Sequence, residues 1–208
     1  MAVDYTLYLV TDREILGNRD FFQAIEDALK GGVTILQLRE KTASSRDFYV
    51  FAMRMKELAG VYQVPLIIDD RLDIALAVDA DGLHVGQEDL PLEVARRVLG
   101  PGKILGYSVS TVEEAIYGEK NGADYLGAGP VFYTGSKADA GNPIGVEGLK
   151  QIKLAVSIPV VGIGGIAPAN AGAVREAGVD GISVISAILG NQDTGGAAKK
   201  LVEAWRQQ

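Results

Sequence analysis

The chain contains no cysteine, and its 208 residues include a single histidine, His84. The absence of cysteine excludes disulfides, zinc thiolates, iron–sulfur clusters and thiol catalysis. A single histidine excludes metal sites built from several histidines and disfavours a Ser-His-Asp triad. No apolar run approaches the length of a membrane span, and residues 1–12 lack the basic and apolar regions of a signal peptide. We therefore expect a cytoplasmic protein that does not enter a membrane.

Basic residues are outnumbered, with 20 Lys and Arg against 27 Asp and Glu, which gives a net charge of −7. This acidic balance argues against sequence-independent binding of nucleic acid. Hydrophobic residues make up 48% of the chain, enough for a substantial core, so a disordered or fibrous protein is excluded. No linker-like stretch divides the sequence, and residues 1–208 are predicted to form one domain. The composition is compatible with a homo-oligomer.

Two hydrophobic periods alternate along the chain. Short apolar runs typical of buried strands begin at Thr6, Ile35, Pro65, Gly82, Lys103, Asp124, Pro159 and Gly181. Segments with helical spacing, such as Phe48, Phe51, Ala52, Met55 and Leu58, lie between these runs. Eight strand–helix units in about 200 residues predict an α/β fold of the (β/α)₈ TIM-barrel type. A doubly wound parallel sheet is the alternative, but a six-stranded fold would leave two units unexplained.

A short phrase recurs where predicted helices give way to strands. It reads Ala-Asp-Gly at 80–82, Asn-Gly-Ala-Asp at 121–124 and Ala-Gly-Val-Asp-Gly at 177–181. A glycine just past the last helical turn accepts the backbone conformation that ends a helix. The phrase therefore predicts compact helix-to-strand joints.

Acidic side chains are predicted at the carboxyl ends of strands three and four, where a TIM barrel carries its active site. Asp70 and Asp89 end these neighbouring strands, so their carboxylates could share a cation. Two carboxylates together with substrate phosphates are a common ligand set for Mg²⁺. The alternative is that both are solvated loop acids.

Basic side chains follow strand two in the same predicted ring. Arg39 and Lys41 combine a planar guanidinium with a compact ammonium group, a pairing suited to a diphosphate. The alternative is a surface salt-bridge network with Glu40 and Asp47.

A glycine-rich turn follows predicted strand seven. Residues 162–166 read Gly-Ile-Gly-Gly-Ile and precede a helix, so backbone N–H groups could cradle a phosphate. The same stretch matches the dinucleotide pattern G-x-G-x-x-A, but it lies near the end of the chain instead of in an opening βαβ unit. Because TIM barrels often bind phosphate with the loops after strands seven and eight, we favour a phosphate site there, with Ile185 and Ser186.

The strand-six loop and His84 are less diagnostic. The loop opens with Thr134, Gly135, Ser136 and Lys137, and its content also fits a flexible solvated segment. His84 lies within predicted strand four, and we interpret it as a residue lining the barrel interior, in preference to an acid–base catalyst.

Together these motifs resemble the thiamine-phosphate synthase family. The resemblance is carried by YLVTDR (8–13), QLREK (37–41), IIDDR (67–71), DGLHVGQED (81–89), GAGPVF (127–132), TGSK (134–137), GIGGI (162–166) and VISAI (184–188). It runs through all eight predicted strands in order. The family consists of (β/α)₈ barrels that join 4-amino-5-hydroxymethyl-2-methylpyrimidine diphosphate to 4-methyl-5-hydroxyethylthiazole phosphate. Diphosphate is released and Mg²⁺ is required.

The resemblance implies a role for each matching residue. The pyrimidine diphosphate would be bound by Gln37, Arg39, Lys41, Asp69, Ser108 and Lys137. The thiazole phosphate would be bound by Thr134, Ser136, Gly165, Ile185 and Ser186. Mg²⁺ would be held by Asp70 and Asp89. The residues expected to act on the departing diphosphate are Lys137, Ser108 and Arg39.

The family's reaction is dissociative. The diphosphate leaves first, the aminopyrimidine stabilises the resulting methylene cation, and the thiazole nitrogen then attacks it, so no protein base is needed. We expect the strand-six loop to be mobile when the site is empty and to close over the substrates, excluding water that would capture the cation.

This chain departs from the family's commoner pattern at three positions. Asp69 stands where many members have Asn, Ser136 stands where Thr is common, and Tyr107 precedes Ser108 in place of a small residue. Strand alternation would send Asp69 and Asp70 to opposite sides unless the chain turns there. We expect Asp69 to orient the pyrimidine, and we expect Arg71 to pair with the Asp69 carboxylate and neutralise its charge.

Two rival functions remain at this point. Thiazole tautomerase is a related barrel that depends on a His shortly after the Gly-x-Ser of strand five, whereas this chain has Val109, Ser110 and Thr111 after Ser108. A non-catalytic barrel that binds phosphoribose or flavin would use the phosphate site after strands seven and eight. It would need neither the paired aspartates nor Arg39 and Lys41.

Overall fold

Eight parallel strands close into a barrel in the order β1 to β8, with β8 pairing back onto β1. The computed structural model describes residues 3–135 and 141–207. The strands are β1 (Leu7–Val10), β2 (Ile35–Leu38), β3 (Leu66–Asp69), β4 (Gly82–Val85), β5 (Ile104–Val109), β6 (Tyr125–Ala128), β7 (Val160–Ile163) and β8 (Gly181–Val184). The predicted (β/α)₈ barrel is confirmed, and the doubly wound alternative is wrong because the sheet closes on itself.

Helices connect the strands around the outside of the barrel. They are α1 (Arg13–Leu16), α2 (Phe21–Lys30), α3 (Ser45–Val61), α4 (Leu72–Ala77), α5 (Leu92–Leu99), α6 (Val112–Lys120), α7 (Gly145–Ala155), α8 (Ala171–Glu176), α9 (Ser186–Leu189) and α10 (Thr194–Arg206). The one-turn helices α1 and α9 have no counterpart in the periodicity, because a single turn is too short to show a helical period. Both directly follow strands, so they lie at the carboxyl end of the barrel.

The strands are buried on both faces, as expected for a parallel sheet covered by helices. The longer helices bury the apolar side chains that their periodicity groups on one face. In α2, for example, Ala24, Ile25, Ala28 and Leu29 are the buried residues. Within residues 3–135 and 141–207, no helix combines the length and the apolar character needed to cross a bilayer.

Candidate active site

A cavity of about 780 Å³ opens at the carboxyl ends of the strands. This volume lies in the range of small-molecule binding sites. Ten residues that the sequence analysis singled out line it: Lys41, Asp69, Asp70, His84, Asp89, Ser108, Thr134, Gly165, Ile185 and Ser186. The barrel thus brings together side chains from β2 to β8 that are far apart in the sequence.

The two cations after β2 face the carboxylates at the end of β3. Lys41 Nζ is ion-paired with Asp70 Oδ2 and lies 3.8 Å from Asp69 Oδ2. Arg39 Nε lies 3.7 Å from Asp69 Oδ2, and Arg39 Nη1 lies 3.3 Å from Asp12 Oδ2. These partners replace the alternative network with Glu40 and Asp47. The adjacency of β2 and β3 in the barrel places cations and carboxylates side by side.

The chain turns at the end of β3. Asp70 has a backbone φ of +60°, and its N–H donates to the carbonyl oxygen of His84 at 2.8 Å. This left-handed conformation interrupts strand alternation, so Asp69 and Asp70 both reach Lys41. The expected pairing of Arg71 with Asp69 is wrong: Arg71 Nη2 pairs with Asp73 at 2.6 Å.

The carboxyl groups of Asp70 and Asp89 lie within hydrogen-bonding reach of each other. The N–H of Gly86 donates to Asp89 Oδ2 at 2.7 Å and orients that group. Burial and then the neighbouring Asp70 raise the pKa of Asp89. Burial also acts to raise the pKa of Asp70, but the hydrogen bonds from Lys41 and Asp89 outweigh it and the pKa is lowered. Two carboxyl groups held this close favour a bound cation.

This donor set fits Mg²⁺. Among the described residues, no group of three or more His, Asp or Glu side chains could hold a metal by itself. Mg²⁺ usually takes one or two protein carboxylates and completes its coordination with water and substrate phosphates. Asp70 and Asp89 would supply those carboxylates, and the adjoining cavity leaves room for a phosphate ligand.

The loop after β7 forms the opposite wall of the cavity. Gly165 has a φ of +63°, and a Cβ built there would lie 2.6 Å from the carbonyl oxygen of Tyr133, so only glycine fits without a shift. Asn170 fixes the loop, accepting from the N–H of Ala167 at 2.8 Å and donating to the carbonyl oxygen of Gly165 at 3.0 Å. Residues 163–167 of this loop line the cavity, so the backbone is accessible there, as a phosphate site requires.

Ser108 lies on β5 and also lines the cavity. Its Oγ is 2.8 Å from His84 Nε2, and its carbonyl oxygen accepts a hydrogen bond from Gln87 Nε2 at 2.8 Å. Tyr107, which replaces a small residue, does not line the cavity. Its ring packs against Tyr117, and its hydroxyl donates to Gln87 Oε1 at 2.8 Å.

Four predicted site residues are not among the described residues that line the cavity. Ser136 and Lys137 fall outside the described residues, and so do the other residues of the range 136–140 in the segment expected to act as a lid. Gln37 and Arg39 are described but do not line the cavity. The Gln37 amide lies inside the barrel and donates to the hydroxyl of Tyr8 at 2.7 Å.

Two tyrosines that contact site residues were not predicted from the sequence. Tyr8 and Tyr125 are buried in the barrel interior with their hydroxyls 2.6 Å apart, and the Tyr125 hydroxyl is 2.8 Å from His84 Nδ1. The sequence did contain a signal for them: each tyrosine places a polar hydroxyl at an inward position of an otherwise apolar strand. The interpretation of His84 as a residue lining the barrel interior agrees with its 8% exposure.

A family model, related sequences and a solved structure all show similarity between this chain and the same group of proteins. Residues 7–188 match the family model described as thiamine monophosphate synthase. A thiamine-phosphate synthase of Desulfitobacterium hafniense (strain Y51) is 63% identical over 206 residues, covering 99% of this chain and 100% of that protein. One from Clostridium novyi (strain NT) is 54% identical over 201 residues, covering 97% and 98%. The solved thiamine phosphate pyrophosphorylase of Pyrococcus furiosus superposes with a TM-score of 0.90 at 45% identity, covering 98% and 96%.

Proposed function

Because the chain belongs to the thiamine monophosphate synthase family and is a transferase, we propose that it joins 4-amino-5-hydroxymethyl-2-methylpyrimidine diphosphate to 4-methyl-5-hydroxyethylthiazole phosphate. The products are thiamine phosphate and diphosphate. The observation that carries this proposal is one cavity with two different walls. Lys41 and the carboxylates of Asp69, Asp70 and Asp89 line one wall, and the glycine backbone after β7 lines the other.

The wall formed by β2 to β5 is proposed to bind the diphosphate. Lys41 lines the cavity beside Asp70, and the Ser108 hydroxyl lies at the same wall. Arg39 does not line the cavity, but its buried Nε lies 3.7 Å from Asp69 Oδ2 and makes no hydrogen bond among the described residues; the resemblance assigns Arg39 to the diphosphate. The family resemblance adds Gln37, and it adds Lys137 from the segment outside the described residues.

Asp70 and Asp89 are proposed to hold Mg²⁺, which when bound would neutralise diphosphate oxygens as the bond to the pyrimidine methylene breaks. Lys41 is ion-paired with Asp70, so it would approach the same diphosphate and add a further positive charge.

The wall formed by the loops after β6, β7 and β8 is proposed to bind the thiazole phosphate. Gly165 brings its backbone to the cavity, and Ile185 and Ser186 line it where α9 begins. Thr134 lines it from the β6 side, and the resemblance adds Ser136. Separate anion sites on opposite walls would align the thiazole nitrogen with the pyrimidine methylene.

The residues fit a dissociative substitution. Asp69 is only 5% exposed and is held by Arg39 and Lys41, so it would accept a hydrogen bond from the 4-amino group of the pyrimidine and orient the ring. An electron-rich aminopyrimidine then stabilises the methylene cation after diphosphate leaves. The thiazole nitrogen carries no proton in this step, so the chain needs to bind, orient and exclude water and need not supply a base.

The thiazole tautomerase alternative requires an imidazole after Ser108. Ser110 is present instead, and its hydroxyl donates to Glu114 Oε2 at 3.0 Å. A barrel that only binds phosphoribose or flavin would leave the Asp70–Asp89 pair without a purpose. We therefore favour the synthase, and we expect it to work in the cytoplasm.

The proposal is tested by incubating the purified protein with both substrates and Mg²⁺ and measuring thiamine phosphate. We expect formation of thiamine phosphate that stops when Mg²⁺ is chelated and returns when it is restored. Isomerisation of a thiazole carboxylate phosphate without thiamine phosphate would support the tautomerase instead.

The metal assignment is tested by Asp89→Ala, with Asp73→Ala as the control because Asp73 is exposed and outside the cavity. Asp89→Ala should lower Mg²⁺-dependent turnover by orders of magnitude while the fold is retained. If Asp89→Ala keeps both the wild-type rate and its Mg²⁺ dependence, the assignment is wrong.

A further inference from the structure

Five polar side chains form a continuous hydrogen-bonded chain through the barrel interior. Gln37 Nε2 donates to the Tyr8 hydroxyl at 2.7 Å, and the hydroxyls of Tyr8 and Tyr125 are 2.6 Å apart. The Tyr125 hydroxyl is 2.8 Å from His84 Nδ1, and His84 Nε2 is 2.8 Å from Ser108 Oγ. Gln37, Tyr8 and Tyr125 are buried away from the cavity, whereas His84, which is 8% exposed, and Ser108 both line it.

The direction of the chain follows from counting protons. Each hydroxyl has one proton to donate, and a neutral imidazole has one N–H. Because Gln37 donates to Tyr8, the Tyr8 proton can be given to Tyr125, and the Tyr125 proton can be given to His84 Nδ1. His84 Nδ1 is then an acceptor, so the imidazole proton is on Nε2 and is donated to Ser108 Oγ. In this arrangement every contact has one donor and one acceptor, and each hydroxyl within the barrel donates its proton to the next group. In the reverse direction Tyr8 would accept from both Gln37 and Tyr125, and its own buried proton would have no acceptor among these five side chains.

The barrel is built to accommodate these rings. A Cβ added at Gly106 would lie 2.3 Å from the Tyr125 hydroxyl oxygen and 2.4 Å from His84 Nδ1, so glycine is required where the two groups meet. Burial raises the pKa of both tyrosines well above the usual value, so both keep the protons that they donate. Interiors of TIM barrels are usually filled by branched apolar side chains, and this chain of polar groups replaces that packing.

We propose that His84 is a positioning residue whose Nε2–H, held in place by Tyr125, Tyr8 and Gln37, turns the Ser108 hydroxyl proton toward the cavity. The part of this inference that concerns the diphosphate rests on the proposed function. An Oγ that accepts from His84 keeps its own proton for an anion. With the opposite tautomer, Ser108 would donate its proton to His84 and present lone pairs to the diphosphate, which would repel it.

The tautomer can be read directly because His84 is the only histidine in the chain. An untagged protein labelled with ¹⁵N-histidine should show one protonated nitrogen, Nε2, and one unprotonated nitrogen, Nδ1, in a spectrum that correlates ring nitrogens with ring protons. Tyr125→Phe removes the donor to Nδ1 and should shift the population toward the other tautomer. A wild-type protein protonated at Nδ1, or at both nitrogens, would overturn the proposal. No substrate is needed, so this result is independent of the proposed function.

The link to the anion is tested by a double-mutant cycle that uses inorganic diphosphate with Mg²⁺ as the probe. His84→Leu should weaken diphosphate binding by about tenfold or more, and His84→Gln, which keeps a donor, should recover part of the loss. In a Ser108→Ala background, the same His84 substitutions should change binding by about twofold or less, since their effect passes through Ser108.

Equal losses in both backgrounds would show that His84 acts by another route and would refute the proposal. Circular dichroism confirms that each variant folds, and the comparison of kcat with KM separates a positioning defect from a loss of active protein. If the wild-type protein makes no thiamine phosphate, the proposed function fails, but the histidine spectrum still decides the tautomer.

Discussion

Neighbouring carboxylates at the end of β3 have different surroundings and, we infer, different tasks. Asp69 is 5% exposed and lies between Arg39 and Lys41, while Asp70 pairs with Lys41 and lies beside Asp89. The resemblance pointed to both residues. The sequence could not show how both reach one cation, because the left-handed turn at Asp70 is made by an aspartate and not by a glycine.

Substituting each of these residues with Asn separates the two roles. Asp69→Asn should change turnover by about tenfold or less, because an amide oxygen still accepts a hydrogen bond from the pyrimidine amino group. Asp70→Asn should cost far more, because it removes a charged metal ligand. Both are measured as kcat at saturating Mg²⁺. An inactive Asp69→Asn beside an active Asp70→Asn would reverse the assignment.

Glu40 is a buried carboxyl near the site that does not line the cavity. Its side chain is 7% exposed, and Arg13 Nε is 3.8 Å from Oε1, which makes no hydrogen bond to any other described residue. Burial raises the pKa of Glu40 above its usual 4.5, and the charges of Arg13 and Arg39 offset this only in part. The ionised form therefore destabilises the fold.

The sign of the resulting pH dependence is fixed. A carboxyl whose pKa is raised by folding favours the folded state at low pH, and this advantage is lost as pH rises through the usual and then the raised pKa. An amide at this position does not titrate. The Tm of Glu40→Gln minus the Tm of the wild type should therefore increase as the pH rises from about 4 to about 7. Glu176→Gln, at an exposed position on α8, is the control. A constant Tm difference across this range would contradict the prediction.

At the scale of elements, the repeated joints at the amino end of the barrel have a clear structural role. In each joint the aspartate accepts a hydrogen bond from a backbone N–H at the start of the neighbouring strand. The pairs are Asp81 with Leu66 at 2.8 Å, Asp124 with Leu105 at 2.7 Å and Asp180 with Val160 at 2.8 Å. The sequence predicted the joints, but not these bonds, because the partner strand is known only once the barrel closes.

Asp81 is the simplest of the three to test, because Asp124 and Asp180 also form ion pairs. Asp81→Ala should lower the free energy of unfolding by about 1 kcal/mol, while Asp81→Asn should keep most of it, since the amide oxygen can still accept. The measurement is denaturant unfolding, with kcat as a second readout. Because Asp81 lies at the end opposite the cavity, a large drop in kcat at saturating substrate would contradict this account.

The loop after β7 depends on glycine at position 165. Gly165→Ala forces a side chain against the Tyr133 carbonyl at a position with positive φ. We expect a KM for the thiazole phosphate that rises by about tenfold or more, with a smaller effect on the KM for the pyrimidine diphosphate. Gly172→Ala is the matched control, because a Cβ there meets open space within helix α8. Equal changes in both KM values would argue against a thiazole phosphate site at this loop.

At the scale of the whole molecule, the sequence predicted the barrel, because few other folds are compatible with eight apolar runs that alternate with helical periods. It predicted polar residues on both walls of the cavity because strand ends converge in this fold. It did not predict the interior chain, since Tyr8 and Tyr125 are 117 residues apart and strand patterns do not show which inward side chains meet. That residues 1–208 form one domain, and that the strand-six loop closes over substrates, stay predictions.

The central claim is that one cavity holds two anions on opposite walls. The most direct measurement is a crystal structure of the protein with Mg²⁺, diphosphate and thiamine phosphate bound together. The account predicts Mg²⁺ and diphosphate between Asp70, Asp89, Lys41 and Ser108, with the phosphate of thiamine phosphate at Gly165 and Ser186. Diphosphate at the glycine loop, or thiamine phosphate bound outside this cavity, would contradict it.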